Sequence, residues 1–265
     1  MSIGQPQTKI NEVVEYLENY QGMIDPDDFK FRLWLRDADN LIKNGHNVLL
    51  GYMMRGLTYL ALGKLEEAEY AIANAYKLSK TETGVNYLTI LARNGKSARA
   101  FDAALELLTI NPTNASVLYF LLNNIVSSLD IEKYQSAIAL FKPTDKSSEE
   151  LLTGAKQGIE IMMKTVNKIE LAGVPLEIYQ YIMDKASVVL NQNYYGKAQV
   201  VVDLINTEFG KFLHIQEYLM GVSDEDCLNL NEILEESIIN DDKFDFAEYQ
   251  KIVYEFKPMS LEMEA

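Results

Sequence analysis

The sequence predicts a mainly α-helical chain, a stack of helical hairpins followed by a small α+β module at its C-terminus. Three observations predict it. Two stretches, 49–80 and 81–112, align residue for residue at a 32-residue offset. Apolar residues then keep a helical spacing from Leu151 through Ile169 and resume after Pro175. From residue 198 the period shortens to two, with Val200, Val202 and Leu204 on one face.

The repeat resolves the tripeptide Gly95-Lys96-Ser97, which looks like the tail of a phosphate-binding loop. Such a loop needs a glycine five residues earlier, where this chain has Ile90. Gly63-Lys64 occupies the same place one period upstream. Each unit reads as helix, glycine turn, helix: 49–62 then 65–78, and 84–93 then 97–110. Gly63 and Gly95 suit a helix end, where a left-handed residue is often needed. Ser97 suits an N-cap. Small Ala68 and Ala100 let paired helices approach closely.

Residues Tyr52, Gly56, Tyr59, Gly63, Ala68, Ile72 and Ala75 carry a pattern that resembles the tetratricopeptide repeat family. Leu88, Leu91, Gly95, Ala100, Ala104, Leu107 and Pro112 repeat it. The departures are Arg55 at a leucine position, Lys80 at the final proline, and Leu88 where the family has a small residue. The two units cover about a quarter of the chain. Residues 115–143 read as a degenerate third unit ending at Pro143. Upstream, helices are expected over about 8–20 and 26–44, the second capped by Asp25 with Pro26 at its first position. A stable stack needs about three units, so the divergent ends are expected to act as caps.

Residues 144–173 open like a capped helix, with Ser147 or Ser148 as the cap, and Pro175 starts another to about Asn191. Strands are expected over 198–206 and 211–219, joined through Thr207–Gly210, and over 250–258, ending at Pro258. Ser223 is expected to cap the helix between them, with acids in its first turn. The expected organisation is a repeat domain over 1–145, connecting helices over 146–194 and an acidic α+β module over 195–265.

The chain has 265 residues, 39 acidic and 24 basic, for a net charge of −15. Residues 223–265 alone carry 13 acidic and 3 basic side chains. Without a basic stripe, direct nucleic-acid binding and attraction to anionic membranes are not expected. The N-terminal residues lack a basic stretch followed by an apolar run, and no apolar run is long enough to span a bilayer, so a cytoplasmic location is expected. One cysteine excludes an intramolecular disulfide.

Candidates for chemistry are few. His46 and His214 lie in different modules, and neither has a cysteine nearby in sequence, which is short of a zinc ligand set. Cys227 could act as a nucleophile if His214 approached it; the plainer reading is a buried helix cysteine. Asp25, Asp27 and Asp28, and Asp241, Asp242 and Asp245, resemble cation clusters but lack a calcium loop's glycine. Trp34, with Phe29, Phe31 and Leu35, reads as core packing of the N-terminal cap. No cofactor and no metal are expected.

The resemblance implies a concave surface lined by the first helix of each unit. Its ligand-facing positions fall at Leu50, Met53, Leu57, Leu60 and Ala61, then Val85, Thr89, Ala92 and Arg93. Members that bind chaperones clamp a peptide carboxylate there with lysine and asparagine, and the first unit has no basic or amide residue at those positions. An apolar groove suits an amphipathic helix or an extended apolar segment. The same residues would also be apolar if covered by the chain's own helix, such as 147–172.

The expected function is therefore a non-catalytic protein-binding adaptor or chaperone, and chaperones of secretion systems are one use of this repeat. An acidic surface at Asp224, Glu225, Asp226, Asp241, Asp242 and Asp245 would add a second contact. The alternatives are an acidic inhibitor of a basic or nucleic-acid-binding protein, and an enzyme whose active site lies in the C-terminal module.

Overall fold

The computed structural model describes residues 6–25, 29–208, 210–241 and 249–259. The chain is mainly α: a helical stack followed by a small three-stranded sheet. The stack begins with α1 (Pro6–Asn19), a two-residue β1 (Gly22–Met23) and α2 (Phe29–Lys43). The two matched hairpins follow as α3 (Val48–Ala61) with α4 (Leu65–Leu78), then α5 (Lys80–Arg93) with α6 (Ser97–Ile110). Each of these helices packs on the next, and α1 also packs on α3.

Local chemistry explains the hairpins. Asn47 caps α3 by accepting the Leu50 amide at 3.1 Å. Gly63 and Gly95 end α3 and α5 at φ +67° and +61°. The next amides, Lys64 and Lys96, turn back to the carbonyls of Tyr59 and Leu91, both at 2.9 Å, which satisfies carbonyls that a helix end leaves open. Residues 26–28, including Pro26 at the expected first helical position after Asp25, lie outside the described residues. The second hairpin's first helix begins at Lys80, earlier than the 84 expected, because Ser79 serves both as the end of α4 and as the N-cap position of α5.

The third unit departs from the repeat. Its first helix is broken into α7 (Ala115–Asn123) and α8 (Ile125–Ser128), with α9 (Ile131–Leu140) as its second. Its corner is Leu129, a leucine at φ 48° whose side chain is buried. A glycine would relieve a strain of about 1 kcal/mol there, but would leave the core short of a side chain.

Two long helices follow, α10 (Lys146–Ala172) and α11 (Leu176–Asn193). The cap of α10 is Asp145, not Ser147 or Ser148. Asp145 accepts the Ser148 amide at 2.8 Å while the Ser148 hydroxyl accepts the Asp145 amide at 3.0 Å. The serine pair was legible as a helix start, but the reciprocal box places the aspartate one turn earlier.

The C-terminal module is the hairpin β3 (Ala198–Thr207) and β4 (Gly210–Leu219), then α12 (Asp224–Ile239) and β5 (Ile252–Pro258). A two-residue β2 (Tyr194–Tyr195) precedes it. β3 pairs antiparallel with β4, from Ala198↔Leu219 to Thr207↔Gly210. β5 returns through α12 to lie parallel to β4, Leu213↔Ile252 to Leu219↔Pro258. Alternation puts Val202, Leu213, Ile215, Leu219, Ile252 and Phe256 on a face covered by α10, α11 and α12. One buried cluster runs from Tyr76 in α4 to Phe256 in β5, crossing the boundaries expected near 145 and 194. The stack and the sheet therefore share a core.

Candidate partner-binding surface

The expected groove is where the structure departs most from the sequence reading. α11 lies across the corners of both matched hairpins. At Gly63 an added Cβ would sit 2.2 Å from the Gln192 carbonyl oxygen, and at Gly95 it would sit 2.6 Å from the Asp184 carbonyl oxygen. These two glycines supply both the left-handed turn and the space for a neighbouring backbone.

Polar contacts lock the seat. Ser97 is not an N-cap; Lys96 holds that position without a side-chain bond. The Ser97 hydroxyl instead donates to the Asp184 carboxylate at 2.6 Å, and Ser187 donates to the Ala92 carbonyl at 3.0 Å. Burial pushes the Asp184 carboxyl above its ordinary range, and the hydrogen bond from Ser97 opposes that shift.

The groove positions divide accordingly. Leu57 and Leu60 are 6 % and 1 % exposed, and Ala61 and Ala92 are also buried. Leu57 joins the cluster built on α1 and α2, and Leu60 joins one that includes Ala68 and Ile90. The expectation that these leucines face a ligand is corrected: neighbouring helices of the same chain cover them. Leu50, Met53, Val85, Thr89 and Arg93 are half-buried. Met53 packs at the margin of both N-terminal clusters, beside Tyr195. The Arg93 guanidinium stacks over the Tyr195 ring at 4.2 Å, so its charge is engaged within the chain.

β1 and β2 complete the closure. Gly22 pairs with Tyr195 and Met23 with Tyr194, and the Ile24 amide reaches the Asn193 carbonyl at 2.8 Å. This ties the N-terminal hairpin to the end of α11. Strands of two residues leave no periodicity to read.

The basic and amide residues at the second corner face other helices of the stack. Lys96 pairs with Glu69 at 2.5 Å and Glu66 at 3.2 Å, and Asn94 donates to Glu69 at 2.6 Å. Glu69 is partly buried, which alone would raise its pKa, yet the bonds from Lys96 and Asn94 hold it below the ordinary carboxylate range.

No protein-family model matches the chain, and no curated protein or solved structure matches it. The tetratricopeptide resemblance rests on the residues quoted above alone.

The chemistry-bearing candidates are dispersed. Cys227 is 3 % exposed on the inner face of α12. Burial, with Asp226 and Asp224 adding to it, pushes its thiol up to about 11. His214 lies on the opposite face of the sheet, where its Nε2 meets Glu255 at 3.2 Å. His46 is exposed in a turn. Trp34 packs against Phe31 and Tyr16, while Phe29 is exposed. Among the described residues no group of three or more histidines, cysteines or carboxylates is placed to hold a metal, and no helix is long and apolar enough to cross a membrane.

One buried titratable group escaped the sequence reading. Glu217 sits at a core-facing position of β4, where alternation calls for an apolar residue. The Tyr254 hydroxyl of β5 donates to it, and Tyr179 of α11 and Tyr194 of β2 also face it. Burial raises its carboxyl to about 7, with the Tyr254 bond pulling the other way. The folded chain therefore holds a proton that the unfolded chain releases near pH 4.5. Glu217's contribution to stability is full below that value, falls by roughly 3 kcal/mol as pH rises to about 7, and is level above it. Glu217→Gln keeps an acceptor for Tyr254 and removes the titration. The difference between urea midpoints at about pH 5 and about pH 8 should be larger for the wild type than for the variant; equal pH dependence in both would refute this assignment.

The expected acidic surface is only partly free. Asp224 and Glu225 are exposed. Asp226 closes a capping box with Ser223, accepting its amide at 2.9 Å while the Asp226 amide reaches the serine hydroxyl. Asp241 is held by Lys185 at 2.7 Å and Tyr181 at 2.5 Å, so it binds α12 to α11 rather than facing solvent. Asp242 and Asp245 lie outside the described residues, as do Asp27 and Asp28.

Proposed function

We propose that this protein is a non-catalytic protein-binding adaptor or chaperone. The observation that carries the reading is the seating of α11. The corners of the hairpin stack accept a helix through small residues, backbone-close contacts, a hydroxyl–carboxylate bond and a hydroxyl–carbonyl bond. A surface of this kind suits helix recognition. The resemblance of residues 49–112 to tetratricopeptide repeats supports the same class of function.

Since α11 and the N-terminal helices occupy the positions around Leu57 and Leu60, the partner meets the outer surface of the stack. That surface presents large exposed side chains, among them Tyr70 at 69 % and Tyr119 at 59 %. Photo-crosslinking residues placed singly at Tyr70 and Tyr119, in the cells that make the protein, test the reading. A discrete crosslinked protein, competed away by excess unmodified chain, is the expected result. If neither position yields a competable adduct, the adaptor reading fails.

A further inference from the structure

We propose that the outer face of α12 is a docking surface for a basic amphipathic helix supplied by a partner protein. The inference rests on the adaptor reading, adds a second contact for that partner beyond the outer surface of the stack, and names the partner's chemistry. α12 buries Cys227, Leu230, Leu234 and Ile238 against the shared core. Its opposite face carries Glu225, Leu228, Glu232, Glu235 and Ile239, all exposed and spaced three or four residues apart. That spacing is the ridge along which a second helix packs. Leu228 and Ile239 are 60 % and 66 % exposed and lie about 16 Å apart along the axis, one near each end.

Charge selects the occupant. The carboxylates of the stack are largely neutralised within the chain, as at Glu69, Glu106 and Asp102. Glu225, Glu232 and Glu235 have no ion-pair partner among the described residues, in a chain whose net charge is −15. An acidic or neutral helix would be repelled or unpaired there, whereas lysines or arginines flanking two apolar residues meet both features of the face.

A shape feature marks one end. Beside Leu228 a shallow cleft opens between α12 and the end of β5, lined also by Asp224, Phe256, Pro258 and Lys257, whose charge is paired with Glu255 at 2.7 Å. A leucine of the partner helix inserts there, against Leu228, while the second apolar contact falls on Ile239. β5 cannot take an added strand at this point, because the Asn231 side chain already bonds both the amide and the carbonyl of Phe256, at 2.7 and 3.2 Å. The partner therefore docks on the helix face and not on the sheet edge.

The test uses the full chain and a designed peptide helix of about 16 residues, with two leucines spaced to match Leu228 and Ile239 and lysines between them. Its twin replaces every lysine by glutamate. Fluorescence anisotropy is read against the wild type, against Glu232→Lys with Glu235→Lys, and against Leu228→Ser with Ile239→Ser. All four substituted residues are exposed, and circular dichroism confirms that each variant is folded. The basic peptide is expected to bind the wild type, and to bind the charge-reversed variant on the order of 100-fold more weakly. The serine variant should lose on the order of tenfold, and the acidic twin should not bind. Equal affinity for wild type and charge-reversed chain, or no binding of the basic peptide to the wild type, overturns the proposal. Neither result touches the adaptor reading, which stands or falls on crosslinking from the stack.

Discussion

Leu57→Glu combined with Leu60→Glu is expected to abolish folding rather than to weaken a surface contact. Both leucines are almost fully buried, and they belong to different clusters. Leu57 is enclosed with Phe31, Trp34 and Met54, and Leu60 with Ala68, Ile72 and Ile90. Each substitution removes an apolar side chain and places a carboxylate inside a cluster of apolar side chains. A cost of about 4 kcal/mol or more is expected at each site, against a total stability of about 5–15 kcal/mol for a typical domain. Far-UV circular dichroism and a thermal melt decide the matter. A double variant that retains helical ellipticity and a wild-type melting temperature would return these leucines to the surface and reopen the groove.

Gly63→Ala should be the most damaging single methyl addition in the stack. Gly63 sits at φ +67°, where an L-residue costs about 1 kcal/mol. The larger part is steric: the new carbon would stand 2.2 Å from the Gln192 carbonyl oxygen, with the Gln192 carbonyl carbon at 2.8 Å. These are backbone atoms, so no side-chain rotation relieves the contact and the end of α11 must move. Gly45 supplies the control. It has nearly the same dihedral, φ +66°, and nothing within 4 Å of an added Cβ. Gly45→Ala should cost about 1 kcal/mol and Gly63→Ala about 3 kcal/mol or more. Urea denaturation of both variants measures the difference. Equal losses would mean that α11 does not press on this corner.

The same contact explains why the corner misleads a reader of the sequence. Gly95-Lys96-Ser97 has the composition of a phosphate loop and the spacing of a hairpin turn. The repeat at Gly63-Lys64 selects the turn, and the left-handed dihedrals of both glycines agree with it. The role of Ser97 stayed hidden. Its partner, Asp184, is 87 residues away in sequence and belongs to a helix outside the repeat. A serine at the start of a helix reads as a cap unless a distant acceptor is known.

Glu217 teaches the complementary lesson. Strict alternation in β4 assigns Leu213, Ile215 and Leu219 to the core and makes Glu217 the exception on that face. The alternation carries that exception, but the sequence reading passes over it. Nor does alternation show that Tyr254, in the next strand beyond α12, supplies the hydrogen bond.

What the sequence by itself determined is local in origin. α4 and α6 run over Leu65–Leu78 and Ser97–Ile110, as their periodicity predicts, because helical spacing and a left-handed glycine act within a few residues. The β3–β4 hairpin and the Ser223 cap are legible for the same reason. What only the tertiary structure decided is which apolar face meets which. Leu57, Leu60 and the exposed stripe of α12 all show helical spacing, yet the first two are covered and the last is not. An amphipathic helix specifies that it has a face to bury; the partner is chosen by the whole set of competing surfaces. Here α11 fits the glycine corners, closes the groove, and leaves the outer side of α12 open.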